Sequence, residues 1–411
     1  MQLSTMRRID ALVGRPLCFL LGAWARMADA LSSSPAPPER RPQRILFVEL
    51  SEMGSTIIAA PAIQRAHACS DQAPCFVIFE KNAGSLRLLG LFEEENIFCL
   101  PDTSLVGMAF GVLRFRRWCR KRGIDTVVDL ELFARISSIL TVVSGARTRV
   151  GFDNYRAEGL YRGKHLTHPV NYNVYQHMSA NFMALLDALE LPASGEPGPR
   201  CAPKPTDQVV STPIKLDRQR HLQSELAARC DLPTDAQLIT INPEAGTLLP
   251  IRNWPQSNYV ELIQQLLARD PRNVVLLMGV PDGQPTIDRI KEGVNDPRCV
   301  DFVGCTRDLD DVLQLCHLSQ VLITNDSGPA HFATLTPVPV VTLFGPETPT
   351  LYGPRGKRAK NLFAGIACSP CLTAFNHRNS SCTDNVCLQE IKVQQVLEAA
   401  GSLMDDPSLR A

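Results

Sequence analysis

The chain has 411 residues, 45% of them hydrophobic and 20% charged, and its 42 Lys and Arg match its 42 Asp and Glu. At roughly 150 residues per domain this length predicts two or three domains, each able to bury its own core. A peptide, a disulfide miniprotein, a disordered chain and a bulk nucleic-acid binder are excluded, and the overall charge points to no partner.

The N-terminus breaks the balance. Within residues 1–44, Arg7, Arg8, Arg15, Arg26, Arg40, Arg41 and Arg44 face only Asp10, Asp29 and Glu39. Across residues 7–27, apolar side chains such as Leu12, Leu17, Leu20 and Trp24 recur at helical spacing, which predicts an amphipathic helix. No apolar run here is long enough to span a bilayer. Three readings stay open. Arg7 and Arg8 ahead of residues 17–25, with Ala28-Asp29-Ala30 behind, mimic a signal peptide, which Pro16 and Arg26 weaken. A helix lying on an anionic membrane face would put Trp24 at the interface and the arginines at headgroups. A helix packed on its own domain gives the same pattern. Residues 32–41 then form a Pro/Ser-rich spacer, closing a first segment at 1–43.

Beyond the spacer, buried apolar runs at 45–50, 75–79, 126–130, 238–242, 274–278, 321–324 and 338–344 alternate with amphipathic stretches, which predicts α/β architecture with parallel sheets. Residues 191–208 hold Pro192, Pro197, Pro199, Pro203 and Pro205 and mark a domain boundary. The chain then divides into 44–205, 206–387 and a C-terminal helix and tail at 388–411. Two such lobes put a cleft between them, and ligands bind beyond the carboxyl ends of the strands. Three motifs lie there.

The first, at residues 49–55, reads E-L-S-E-M-G-S. Gly54 lets backbone approach a ligand, and Glu52 either presents a carboxylate to the cleft or caps the helix that follows. Neither the dinucleotide fingerprint nor a Walker A loop is present. The second, N-P-E-A-G ending at Gly246, precedes Arg252-Asn253-Trp254-Pro255. A small-residue loop with an Arg before a Pro-started helix reads as a phosphate cradle, or as a surface Arg paired with an Asp. In the third, Asp326, Ser327 and Gly328 stand where a strand gives way to a helix. The amides of residues 327–330 are expected to converge on one spot suited to a pyrophosphate, with His331 one turn later on the Ser327 side.

Together L-S-E-M-G, N-P-x-A-G with R-x-W-P, and T-N-D-S-G-P-x-H-x-A with L-F-G-P resemble glycosyltransferase family 9, the ADP-heptose:lipopolysaccharide heptosyltransferases, from about Arg44 to Ala400. The resemblance implies a GT-B fold, with two Rossmann-like lobes whose parallel sheets face a central cleft. Residues 44–205 would hold the acceptor and residues 206–387 the nucleotide-sugar. It implies inverting, metal-independent transfer of a sugar, heptose for the family, from a nucleotide-diphosphate donor such as ADP-heptose to a lipopolysaccharide-core or other envelope glycan. The enzyme would be cytoplasmic, peripheral on the inner face of the cytoplasmic membrane. Arg252, Asp326, Ser327, Gly328 and His331 would line the donor diphosphate, together with Gly54 and Gly246, and Asp282 in G-V-P-D-G would meet the ribose. Where many members carry the Asp base, this chain has Ser55, so either Glu52 takes the base role or the mechanism differs, and Glu52 and Ser55 are the catalytic candidates. The alternatives are another GT-B enzyme, such as a nucleotide-sugar epimerase, and a degenerate glycan- or nucleotide-binding assembly protein.

Further features carry open readings. Arg114, Arg116, Arg117, Arg120, Lys121 and Arg122 form either a solvated helix face or a patch for phosphorylated acceptor or anionic lipid, which Arg147, Arg149 and Arg156 would extend. Of fourteen cysteines, Cys368, Cys371, Cys382 and Cys387 are spaced for structural zinc, for reduced thiols or for a labile disulfide. No cofactor is required by this layout, and no nucleic-acid partner is expected.

Overall fold

A computed structural model describes residues 10–31, 41–132, 134–153, 161–193, 196–202, 210–231, 233, 235–246, 249–374, 376 and 378–409. The chain divides into two compact units, residues 1–209 with 374–377 and residues 210–373 with 378–411.

In the first unit a π-helical turn at Asp10–Gly14 leads into α1 (Arg15–Leu31). The body runs β1 (Ile45–Val48), α2 (Met53–Ile58), α3 (Ala60–Cys69), β2 (Cys75–Phe79), α4 (Ala83–Leu88), β3 (Ile97–Leu100), α5 (Leu105–Arg122), β4 (Thr126–Asp129), α6 (Arg135–Ser144), β5 (Thr148–Phe152), β6 (His168–Val170) and α7 (Met178–Ala188). The six strands are parallel, in the order β3-β2-β1-β4-β5-β6. β1 is buried at all four positions, as a strand covered on both faces must be. Ser104 accepts the Gly107 N–H at 3.0 Å to start α5, and Gly123 in the left-handed region (φ 66°) ends it.

The second unit repeats the pattern. It comprises α8 (Leu216–Ala227), β7 (Gln237–Asn242), α9 (Gln256–Arg269), β8 (Asn273–Leu277), α10 (Gln284–Val294), β9 (Cys299–Asp301), α11 (Leu309–Leu318), β10 (Val321–Asn325), α12 (Gly328–Ala333), β11 (Val340–Phe344), α13 (Pro349–Tyr352), β12 (Ala359–Phe363), α14 (Val386–Gln389) and α15 (Val393–Met404). The sheet order β12-β11-β10-β7-β8-β9 is the first unit's order renumbered, the doubly wound Rossmann arrangement. One face packs α9, α10 and α15 around Ile263, Leu266 and Val396, and the other packs α8 and α11 around Leu226 and Leu315. The single helix expected after Cys387 is two, α14 and α15, both in this unit.

The N-terminal helix is docked on its own unit. Pro16 stands where the π-helical turn passes into the α-helix, and the chain stays helical through it rather than breaking there. Cys18, Gly22 and Ala25 are its buried residues. A Cβ on Gly22 would lie 3.1 Å from the Lys164 backbone nitrogen, and one on Gly163 (φ +95°) would lie 2.6 Å from the Cys18 carbonyl oxygen. Asp10 Oδ2 pairs with Arg135 Nη1 at 2.7 Å, and Asp29 pairs with Arg149. Arg149 is therefore a buried clamp on the helix and not part of an acceptor surface. Arg147 is exposed, and Arg156 lies outside the described residues.

Candidate active site

Each sheet reverses its strand order once, between β1 and β4 in the first unit and between β7 and β10 in the second, and the polar loops gather there.

In the first unit, the loop after β1 is tied to the loop after β4. Glu131 accepts the Leu50 N–H at 3.0 Å, the Ser51 N–H at 3.3 Å and the Ser51 hydroxyl at 3.0 Å. Glu49 Oε1 accepts the Glu52 N–H at 3.2 Å. Glu49 and Glu131 are both buried and hydrogen-bonded to each other. Burial raises both carboxyls, and the charges of Glu131 and Glu52 push Glu49 further, well above the usual range. Glu131 is held in turn by Arg162, which donates to its backbone carbonyl, pairs with Asp129 and reaches Ser137 Oγ at 2.5 Å.

Glu52 occupies the N-cap of α2, yet its side chain does not cap. Its Oε2 accepts the Ser55 hydroxyl at 2.7 Å. The Ser55 hydroxyl thus orients Glu52. Gly54 lies in the same first turn of α2.

In the second unit, three chain segments converge. Asn242 Nδ2 donates to Thr324 Oγ1 at 3.1 Å and to Ser327 Oγ at 3.2 Å, and Asn325 Nδ2 donates to the Pro243 carbonyl at 2.8 Å. Asn325 Oδ1 accepts the Trp254 N–H and the Tyr259 hydroxyl, each at 3.1 Å. Trp254 is fully buried, donates from Nε1 to the Ile391 carbonyl at 2.9 Å and meets Tyr259 edge-on at 4.9 Å. The Trp of R-x-W-P is therefore an anchor, and it delivers Arg252 to Asp326, with Nη2 to Oδ2 at 2.6 Å. Arg252 Nε is buried with no hydrogen-bond acceptor among the described residues.

Ser327 turns its hydroxyl back to the Asn325 carbonyl at 3.1 Å instead of capping α12. The expected convergence of four amides is corrected: Pro329 has no N–H, and the Ala330 N–H is taken by the Ser327 carbonyl at 3.1 Å. Ser327 and Gly328 alone are left to donate toward a ligand from that turn. Gly246 has φ +82° and open space where a Cβ would be, and His331 is buried on α12. Asp282 is exposed, whereas Glu244 lies over the same turn, its Oε2 2.3 Å from where a Gly283 Cβ would stand.

Glu347, one residue beyond L-F-G-P, was not legible as a site residue. It is almost wholly buried, and its carboxyl is pushed up to about 7, first by burial and further by Asp326, against the opposing charges of Arg378 and Arg252. Arg378 Nε lies 3.4 Å from Glu347 Oε2, and its guanidinium stacks over Tyr352 at 4.9 Å. Asp326, Arg252, Glu347 and Arg378 thus form one charged group at the sheet reversal.

The zinc reading is not supported. Cys368 is exposed, Cys382 Sγ points to the Asp384 carbonyl at 3.0 Å, and Cys371 Sγ to Ser380 Oγ at 3.5 Å. No metal-holding group forms among the described residues.

Two parallel sheets of this order, each with a polar loop set at its reversal, define a GT-B-type α/β protein. The chain belongs to glycosyltransferase family 9 (heptosyltransferase), whose model matches residues 112–380. Lipopolysaccharide heptosyltransferase 2 of Escherichia coli K12 is 31% identical over 161 residues, which cover 38% of this chain and 45% of that protein. The match thus spans about half the length of the curated relatives. A family 9 glycosyltransferase from Veillonella parvula superposes with a TM-score of 0.68 at 19% identity, covering 90% of this chain and 99% of its own. The E. coli ADP-heptose lipopolysaccharide heptosyltransferase II superposes with a TM-score of 0.63 at 19% identity, covering 88% and 98%. These two superpositions speak to the fold.

Proposed function

We propose that the chain is an inverting, metal-independent glycosyltransferase that moves heptose from ADP-heptose onto a lipopolysaccharide-core or other envelope glycan. It would act peripherally at the inner face of the cytoplasmic membrane. The observation that carries this reading is Arg252, fixed by Asp326 at the sheet reversal with an N–H that has no acceptor among the described residues. The donor named for the E. coli structural relative supports ADP-heptose as the substrate to try first.

In this mechanism Glu52, oriented by the Ser55 hydroxyl, takes the proton of the acceptor hydroxyl as that oxygen attacks the anomeric carbon. Attack from the face opposite the nucleotide inverts the configuration. The leaving diphosphate gains charge in the transition state, and Arg252 with the Ser327 and Gly328 amides stabilises it there more than in the ground state. Asp326 is a positioning residue. Glu244 or Asp282 would meet the ribose hydroxyls, and His331 and Gly246 would complete the donor wall.

The test is transfer from ADP-heptose to heptose-deficient core lipid, beside thermal stabilisation by ADP, UDP, GDP and CDP. Selective stabilisation by ADP with transfer supports the proposal. Interconversion of the free nucleotide-sugar would make the chain an epimerase, and binding without transfer to any acceptor would make it a binding protein.

A further inference from the structure

An ordinary surface helix buries its large apolar side chains and exposes its polar ones. α1 does the reverse. Cys18, Gly22 and Ala25 face the unit, while Leu20, Trp24, Met27 and Leu31 are 62%, 53%, 59% and 84% exposed. At 3.6 residues per turn these four form the ridge opposite the buried stripe, and Arg15 and Arg26 fall together on one flank. Both arginines are exposed.

A second helix of the same unit carries the same chemistry. α1 and α5 both pack on α6, and α5 turns Val106, Phe110 and Leu113 outward at i, i+4 and i+7, with exposures of 67%, 64% and 68%. The following exposed positions on α5 are Arg114, Arg117, Arg120 and Lys121, and that helix has no acidic residue. Asp29, the one acidic residue of α1, is paired with Arg149.

We propose that α1 and the first turns of α5 form a preformed platform that inserts shallowly into an anionic lipid surface. The apolar ridges would enter the acyl boundary and the arginines would meet headgroup phosphates. Charge complementarity selects this occupant: a second copy would bring the same cations against these cations, whereas anionic lipid neutralises them. The platform also reaches the candidate base. Gly163 is pressed on the Cys18 carbonyl, and the adjacent Arg162 holds the backbone of Glu131, which holds the Ser51–Glu52 loop. The inference deepens the peripheral placement above, but it stands on this surface and not on the transferase chemistry.

The test is flotation of the full chain with phosphatidylethanolamine vesicles containing phosphatidylglycerol, against phosphatidylcholine vesicles. The expected result is binding to the anionic vesicles alone, weakened by salt, with a blue shift of Trp24 emission. The double variant L20S/W24S should lose about tenfold or more in vesicle affinity, and so should R15E/R26E, with thermal unfolding unchanged because these side chains are exposed. Equal partition of wild type and both variants would overturn the proposal, and so would self-association without vesicle binding. Transfer to a detergent-dispersed acceptor, measured alongside, keeps this outcome apart from a failure of the transferase reading.

Discussion

Arg252 Nη2 lies 2.6 Å from Asp326 Oδ2, and this pair joins the loop after β7 to the loop after β10 where the second sheet reverses. Two effects of losing Arg252 must be separated: loss of a phosphate contact and the stranding of a buried carboxylate. Arg252→Met should cost about 3–5 kcal/mol of stability because Asp326 is left unpaired. Adding Asp326→Asn should recover most of that loss. ADP-induced thermal stabilisation should be absent in both variants. Recovered nucleotide binding in the double variant would show that Arg252 serves the fold alone.

Glu52 and Ser55 invite a graded comparison. Glu52→Gln should lower kcat by about 10²–10⁴ with ADP binding intact, since a base is removed and no donor contact is. Ser55→Ala removes only the 2.7 Å hydrogen bond that orients Glu52, and about a tenfold loss is expected. Steady-state transfer rates with both variants check the order. A Ser55→Ala variant as inactive as Glu52→Gln would move the essential role to the serine.

The central strands and the three motifs could be read from the sequence because each is a local pattern: a buried apolar run followed by polar or turn residues. β3, β5, β6, β9 and β12 were not anticipated. β5 carries Arg149 and Gly151, β6 carries Pro169 in three residues, and β12 has the consecutive polar pair Lys360 and Asn361 at the sheet edge. Glu49, Glu131 and Glu347 escaped for another reason. Nothing local marks a carboxylate as buried when its partners arrive from distant strands. In α1 the hydrophobic pattern was visible but its sense was not, because small residues form the docked face.

Asn325 gives a structural prediction for the donor site. It is fully buried and satisfies the Pro243 carbonyl, the Trp254 N–H and the Tyr259 hydroxyl at once. Asn325→Leu keeps the branched skeleton with somewhat more bulk and strands all three groups, so a loss of about 2–4 kcal/mol in urea unfolding is expected. ADP affinity should fall as well, because Trp254 positions Arg252. A stable variant that still binds ADP would show that the loop needs no such bridge.

His165 and Glu347 should pull stability in opposite senses as pH changes. His165, buried in the first unit beside Arg162 and Arg149, has its pKa lowered to about 3, chiefly by burial. The unfolded chain therefore binds a proton below about 6.5 that the folded one refuses, and stability is lost as pH falls from there toward 3. Glu347, in the second unit, is raised to about 7 by burial, so the folded chain keeps a proton that the unfolded chain releases above about 4.5. Its contribution is greatest in acid and is lost as pH rises toward 7. Each effect is on the order of 1–4 kcal/mol. Glu49, Glu131 and Asp129 are raised by burial in the first unit and oppose His165 there, so each contribution is read as a difference between wild type and variant. Calorimetry from pH 5 to 8 should show the stability of wild type relative to His165→Gln rising with pH, and that relative to Glu347→Gln falling. Glu347→Gln should also leave ADP affinity nearly constant through neutrality, where in wild type the ionising carboxylate beside Arg378 and Asp326 weakens it.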